Sequence, residues 1–278
     1  VGTRLQDFTT GSWSVFGNES MQLIAINAAS FDAHKHRALS VVGDAKVGLE
    51  DLSSALGNWA GSPAWIETAQ GHYAEWNQTV DQHSGPSDAV PPSYGQVVGA
   101  INRSCDSTDL ALTAAGGLPG ELCKNWKTRS IGTFDCEFGF SCMGYEIAGG
   151  WGAKMADPSR GVIVFVGDGS YLMLNSDIYS TVLTGHKMIV IVCDNGGFSV
   201  INRLQNFKGS ASFNNLLQDC KVENLQGVDF VQHATSMGAL GEQVESIVEL
   251  EAAFKRAKAA DRTYVICIKT QPSQWTPG

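Results

Sequence analysis

Val162-Ile163-Val164-Phe165-Val166-Gly167-Asp168-Gly169-Ser170 carries an unbroken apolar segment into a glycine turn, and Met188-Ile189-Val190-Ile191-Val192-Cys193 does the same into Asp194-Asn195-Gly196-Gly197. Strands that are apolar throughout, rather than alternating with polar residues, are buried on both faces, as in a parallel sheet covered by helices. The surrounding periodicity agrees. Tyr94 to Arg103, Ser141 to Met155, Tyr171 to Leu183 and Val244 to Ala259 read as helices, and Leu110 to Ala115 and Tyr264 to Ile268 as further strands. The expected fold class is α/β: a three-layer parallel sheet with helices on both faces. No internal repeat or low-complexity tract interrupts it.

Upstream, Leu23 to Ile26 is β-like and Lys46 to Leu56 has helical spacing. Gly57 to Pro92 is a polar, Trp-rich connector with a helical stretch around Ala64 to Gln82. Its far end, Asp81 to Pro92, is rich in Pro, Ser and Gly and reads as a linker or domain boundary. At 278 residues the chain is one large domain or one and a half smaller ones, and 43% apolar with 17% charged residues suits a globular protein with a sizeable core.

A net charge of -9, with no basic patch interleaved with aromatics, sets aside nucleic acid and anionic membrane surfaces as partners. The longest apolar runs are strand-length, far short of a bilayer span, and no charged-then-apolar leader opens the chain. The start at Val1 rather than Met, running into a polar stretch, suggests a piece of a longer protein. Seven cysteines (105, 123, 136, 142, 193, 220 and 267) form no CxxC pair. They are expected to be buried, reduced thiols of a cytoplasmic protein rather than zinc ligands.

In a parallel sheet the two glycine turns lie on the same edge, so the loops after Val166 and Cys193 converge. A strand–turn–helix unit there offers backbone N–H groups to a diphosphate. A carboxylate, an amide oxygen and a backbone carbonyl are hard donors, and diphosphate oxygens and water complete the octahedron that magnesium prefers. The plainer alternative makes Asp168 a helix cap and Asp194-Asn195 a simple turn. Two such loops on two buried strands, with 24 residues between Gly169 and Asp194, favour the binding site.

This pair of loops resembles the signature of thiamine-diphosphate enzymes, a Gly-Asp-Gly followed further on by two asparagines. The resemblance implies Asp168, the Asn195 side chain and the Gly197 carbonyl as Mg2+ ligands, with Gly167, Gly169 and Ser170 around the diphosphate. The first asparagine is Asp194 here, but the family's ligand is the second position. In the Ser141-Cys142-Met143-Gly144 segment, the resemblance implies that Met143 props the bent cofactor and that the backbone near Ser141 meets its aminopyrimidine. Gly117 resembles a further diphosphate contact.

Longer blocks narrow the resemblance. Phe31 to Leu39, Gln96 to Asn102, Gly117 to Leu122, Glu137 to Gly149, Val166 to Asn175 and Ile201 to Gln205 look like the trihydroxycyclohexanedione hydrolases of myo-inositol catabolism. That family opens a cyclic 1,2-dione to 5-deoxyglucuronate. The resemblance makes residues 1–60 the close of a Rossmann-like central domain, 61–92 a connector and 93–278 the thiamine-diphosphate- and Mg2+-binding domain. The family's N-terminal pyrimidine-binding domain is absent. The glutamate that activates the thiazolium belongs to that domain, so Glu137 and Glu146 are not its substitutes and the fragment alone is expected to be inactive. A homodimer or higher assembly is implied, the site being completed by a pyrimidine-binding domain.

Two alternatives remain: another thiamine-dependent lyase or synthase, such as an acetolactate synthase relative or an oxoacid decarboxylase, and a non-catalytic subunit of a split enzyme. His34 and His36, alternating on an extended segment, could suggest a metal pair, but surface or packing histidines are the better reading.

Overall fold

The structure, a computed structural model, describes residues 1–137 and 139–277, the Phe8 side chain excepted. Phe138, inside one of the blocks quoted above, and Gly278 lie outside the described residues.

The chain divides into two compact units, Val1–Gly71 and His72–Gly278. In the first, α1 (Asp7–Thr10) precedes β1 (Ile24–Asn27), and α2 (Ser30–Ala33) leads to β2 (Leu39–Val42), which pairs in parallel with β1. α3 (Ala45–Leu56) starts where the Asp44 carboxylate accepts the Lys46 and Val47 N–H groups, satisfying donors that have no partner inside the helix.

The segment holding His34 and His36 is not extended, as expected, but a tight helical turn. His34 is fixed between the Ser30 carbonyl, 2.8 Å away, and the Ser40 hydroxyl, 3.0 Å away. His36 has a left-handed backbone and stacks on Trp13 with ring centroids 3.7 Å apart. Both are exposed at the surface and held by local contacts. α4 (Pro63–Ser84) begins in the first unit and ends in the second. The stretch read as a linker from Asp81 therefore keeps helical geometry through Ser84.

The second unit alternates helix and strand. α5 (Tyr94–Ser104), β3 (Leu110–Thr113), α6 (Leu118–Asn125), β4 (Phe134–Cys136) and α7 (Tyr145–Ala156) come first. β5 (Val162–Gly167), α8 (Asp168–Met173), α9 (Asp177–Thr184), β6 (Ile189–Asp194) and α10 (Ser199–Phe207) form the middle. α11 (Phe230–Ser236), β7 (Leu240–Val244), α12 (Ile247–Ala259) and β8 (Tyr264–Lys269) close it. The strands make one six-stranded sheet in the order β4-β3-β5-β6-β8-β7, with every pairing parallel.

Alternate side chains of each central strand enter different cores, because successive Cβ atoms point to opposite faces. Ile163, Phe165, Ile191 and Ile266 pack with residues of α5, α6 and α12. Val162, Val164, Val166, Val190 and Val265 pack with residues of α7, α8, α9 and α11. This is the expected three-layer α/β architecture.

Several boundaries differ from the sequence reading, each for a local reason. The helix expected from Ser141 begins only at Tyr145, because Ser141 and Gly144 have positive φ, +53° and +97°. The helix expected over Tyr171 to Leu183 breaks into α8 and α9. There the Asn175 amide donates to the Tyr171 carbonyl at 3.0 Å, taking an acceptor that helix continuation would use. Val244 ends β7, and α12 starts after Ser246, whose hydroxyl accepts the Glu249 N–H. β4 and β7 were not foreseen; both are outer strands with partly exposed residues and lack the continuous apolar signature.

Of the seven cysteines, all free, Cys105, Cys193 and Cys267 are buried while Cys123 and Cys142 are exposed, so the expectation of buried thiols holds for only part of the set. No helix among the described residues is long and apolar enough to cross a membrane.

Gly99 marks the closest helix contact: a Cβ there would overlap the Ser84 carbonyl oxygen at the end of α4. Gly152, exposed in α7, has nothing within 4 Å of an added Cβ. Gly99→Ala should therefore destabilise the fold by about 1–3 kcal/mol. Gly152→Ala should stabilise it by up to about 1 kcal/mol. Urea unfolding followed by tryptophan fluorescence measures both, and a neutral Gly99→Ala would contradict the packing described.

Candidate functional site

β5 and β6 are neighbours, and their register pairs Gly167 with Cys193. The next residues, Asp168 at the start of α8 and Asp194 at the end of β6, therefore lie side by side at the carboxyl edge of the sheet. Asp168 is 7% exposed, and the backbone N–H groups of Gly169 and Gly197 lie on the side that favours its charged form. Burial, and then the Asp194 charge, push the Asp168 carboxyl up to about 6, against the pull of those N–H groups. A buried carboxylate facing a second carboxylate is costly unless a cation shares the site.

Asp194 behaves partly as the plain turn residue: its Oδ1 accepts the Gly196 N–H at 3.0 Å. Asn195 does not. Its side-chain nitrogen donates to the Tyr94 hydroxyl and, at 2.7 Å, to Ser199 Oγ. Its Oδ1 is buried and has no hydrogen-bond partner. An amide oxygen left so costs on the order of 1–3 kcal/mol unless a ligand completes it.

Gly197 has φ +144°, and a Cβ there would overlap the Asn215 carbonyl. Its loop is locked by Phe198 N–H donating to the Asn215 carbonyl at 2.7 Å and Leu217 N–H to the Gly196 carbonyl at 2.8 Å. Among the described residues no backbone N–H is bonded to the Gly197 carbonyl.

At the first turn, a Cβ on Gly169 would lie 2.7 Å from the Phe198 ring and 3.4 Å from the Met143 methyl. Met143 is thereby brought against the turn. Ser170 is buried. Ser141 is exposed, and no hydrogen bond among the described residues ties it to Asp168, Asn195 or Gly169. Gly117 precedes α6, and a Cβ there would overlap the Trp275 ring and sit 3.3 Å from Tyr94. Through Tyr94 it adjoins Asn195.

α8 spans only six residues. Its dipole is correspondingly small, so anion binding at this edge depends on individual N–H groups and a cation more than on a long helix.

Three further residues build the site without having been singled out for it. Glu146 is fully buried and accepts the Ala115 N–H at 3.2 Å on Oε1 and the Gly144 N–H at 2.8 Å on Oε2. It braces the turns that follow β3 and precede α7. Burial raises its pKa, and these donors oppose the rise. Tyr94 and Trp275 are the others, meeting edge to face with centroids 5.7 Å apart. The only local hint was the capping box of Ser93 and Gln96, which marks a helix start but not its distant contacts.

No cluster of three or more His, Cys, Asp or Glu side chains among the described residues could hold a metal ion alone. The donor set here is carboxylate, amide oxygen and carbonyl, which fits a hard cation whose remaining ligands come from a bound diphosphate.

A strand-edge site of this kind on a doubly covered parallel sheet is a nucleotide- or cofactor-binding arrangement, and comparison with known proteins defines which. The family model for the C-terminal TPP-binding domain of thiamine pyrophosphate enzymes matches residues 114–268, more than half of the chain. The chain belongs to the thiamine pyrophosphate enzyme family, and the matched domain is the one that binds thiamine diphosphate.

Among curated relatives, the whole chain is 34% identical to the 3D-(3,5/4)-trihydroxycyclohexane-1,2-dione hydrolase of Geobacillus thermodenitrificans, covering 47% of that protein. It is 33% identical to a protein of the same name, numbered 2, from Bacillus cereus and 32% identical to one from Clostridium tetani, covering 48% of each. The chain spans about half the length of these relatives.

The Asp168 carboxyl sets a pH dependence for the metal-free protein. The folded state holds this proton more tightly than an unfolded chain does, at about 3.9. Stability from this group is therefore greatest below that value and is given up as pH rises through about 6. Relative to wild type, Asp168→Asn should gain at most about 3 kcal/mol between pH 4 and pH 7. Denaturant midpoints across that range measure it; a pH-independent difference would show that Asp168 is not a strained, buried charge.

Proposed function

We propose that the chain is the cofactor-binding portion of a thiamine-diphosphate- and Mg2+-dependent hydrolase that opens 3D-trihydroxycyclohexane-1,2-dione to 5-deoxyglucuronate in myo-inositol catabolism. The observation that carries the metal reading is the buried, unpaired Asn195 Oδ1 beside the Asp168–Asp194 carboxylate pair. The substrate reading rests on the names of the relatives.

In this reading Asp168, Asn195 Oδ1 and the Gly197 carbonyl hold Mg2+. Gly117, Gly167, Gly169 and Ser170 surround the diphosphate, Met143 supports the cofactor from below, and the backbone at Ser141 borders its aminopyrimidine. When bound, thiamine diphosphate supplies the electron sink for breaking the C–C bond beside a ketone. The chain's own part is to orient: glycine at 169 and 197 lets backbone approach closely, and Phe198 and Met143 wall the turn. Residues 1–60 then close a central Rossmann-like domain, 61–92 connect, and 93–278 form the cofactor domain. A pyrimidine-binding domain, within a homodimer or higher assembly, completes the site. Free cysteines accord with a cytoplasmic setting.

Assay of the full-length protein should show turnover of the cyclic dione and none of pyruvate. Turnover of pyruvate alone would instead place the protein among thiamine lyases or synthases, and inactivity restored only by a separate subunit would support a split enzyme.

The metal site makes its own prediction. Asp168→Ala should weaken Mg2+-dependent binding of thiamine diphosphate by more than roughly 100-fold, beyond the range for residues that merely support a ligand. In the wild type, Mg2+ must displace the Asp168 proton below about pH 6. Its affinity should fall toward tenfold per pH unit below that value and level off above it. Isothermal titration across pH measures both, and an unchanged affinity in Asp168→Ala would remove the assignment.

A further inference from the structure

A terminal amide has two chemically opposite ends, an accepting oxygen and a nitrogen bearing two donors. Half a turn about the last side-chain bond exchanges them within nearly the same volume. Magnesium takes only oxygen, so an asparagine ligand must be held against that exchange. We propose that Tyr94 is the positioning residue that sets the Asn195 amide, its hydroxyl occupying the amide nitrogen so that Oδ1 is the atom presented to the metal. This inference rests on the reading of Asn195 as a ligand.

The geometry fits the role. Both amide N–H groups are engaged, one by the Tyr94 hydroxyl and one by Ser199 Oγ, while Oδ1 is buried and unpaired. Ser199 is only four residues from Asn195, at the first position of α10, so it is a local contact. Tyr94 lies 101 residues away in sequence, at the first position of α5. It supplies a reference point anchored elsewhere.

That anchoring is firm. Ser93 and Gln96 cap the helix start reciprocally, through the Gln96 N–H to Ser93 Oγ at 3.3 Å and the Ser93 N–H to Gln96 Oε1 at 2.9 Å. The Tyr94 ring is 4% exposed and stands edge-on to Trp275. The residue after Trp275, Thr276, is in turn bound to buried Glu121 through its hydroxyl at 2.7 Å. The two hydroxyls fix where one end of the amide sits, and Tyr94, whose ring is packed in place, holds that end so that the opposite end faces the metal position.

The test is a double-mutant cycle in the full-length protein, titrating Mg2+ at saturating thiamine diphosphate. Tyr94→Phe keeps the ring and its contact with Trp275 and removes only the oxygen. It should raise the Mg2+ concentration for half-maximal binding about tenfold, the low end for a residue supporting a metal ligand. Ca2+, which tolerates irregular geometry, should be weakened less.

In an Asn195→Ala background, Tyr94→Phe should have no further effect on Mg2+, because the group it positions is gone. A loss that persists in that background, or an equal loss for both ions, would assign Tyr94 a general structural role and overturn the inference. So would an unchanged Mg2+ requirement in Tyr94→Phe while Asn195→Ala is impaired. If Asn195→Ala itself binds Mg2+ normally, the ligand reading fails first. Ser199→Ala, with a smaller side chain and no part in the α5 cap, supplies a second variant should Tyr94→Phe not fold; it should also weaken Mg2+ more than Ca2+, and equal losses there would count against amide positioning.

Discussion

The placement of two carboxylates at the ends of adjacent parallel strands is the constraint on which the rest of the site depends. Register puts Gly167 opposite Cys193, and so Asp168 beside Asp194. A slip of one residue would turn Asp168 toward a helix layer and move every valine of β5 from one core to the other. The two cores, with Val162, Val164 and Val166 on one side and Ile163 and Phe165 on the other, thus fix the position of the charge as well as the stability of the sheet. Packing and binding share one cause.

Glycine follows from the same constraint. Once both strands terminate at one edge, the backbones that follow them crowd together. Gly169 faces Phe198 and Met143, and Gly197 faces the Asn215 carbonyl, at distances that leave no room for a Cβ. These glycines are spatial requirements of converging loops more than signs of flexibility. Asn215 and Leu217 clamp the second loop from outside, so the Gly196-Gly197 backbone is held in a fixed place.

The central strands were legible because double burial writes itself into sequence as continuous apolar runs, and the two turns because they interrupt those runs abruptly. Less was legible where the determining contact is distant. α7 starts four residues later than its small-residue pattern implied because Glu146 captures the Gly144 N–H. α8 and α9 separate because one asparagine side chain takes a backbone acceptor. β4 and β7 sit at the sheet margins, where partial exposure dilutes the apolar signal. The distant contacts of Tyr94, Trp275 and Glu146 left no mark: Tyr94 meets Asn195, Trp275 meets Tyr94 and Glu146 meets Ala115 across long sequence separations, and no local period records such a contact. The residues closest to the expected ligands were readable; those that hold them were not.

The carboxylates near the turns also divide by what their oxygens are doing. Glu146 spends one oxygen on Ala115 and the other on Gly144. Glu137 spends one on the Phe140 N–H and the other on the Cys142 N–H, both at 2.8 Å, and these donors hold its carboxyl below the ordinary range. A group that exchanges protons during a reaction has to release and regain its partners, whereas these two are committed to shaping backbone. Asp168 differs from both in standing buried beside another negative charge, a state that a cation relieves and a structural brace does not need. Glu137 and Glu146 therefore shape backbone, and of the three carboxylates Asp168 is the one placed where a cation would relieve it.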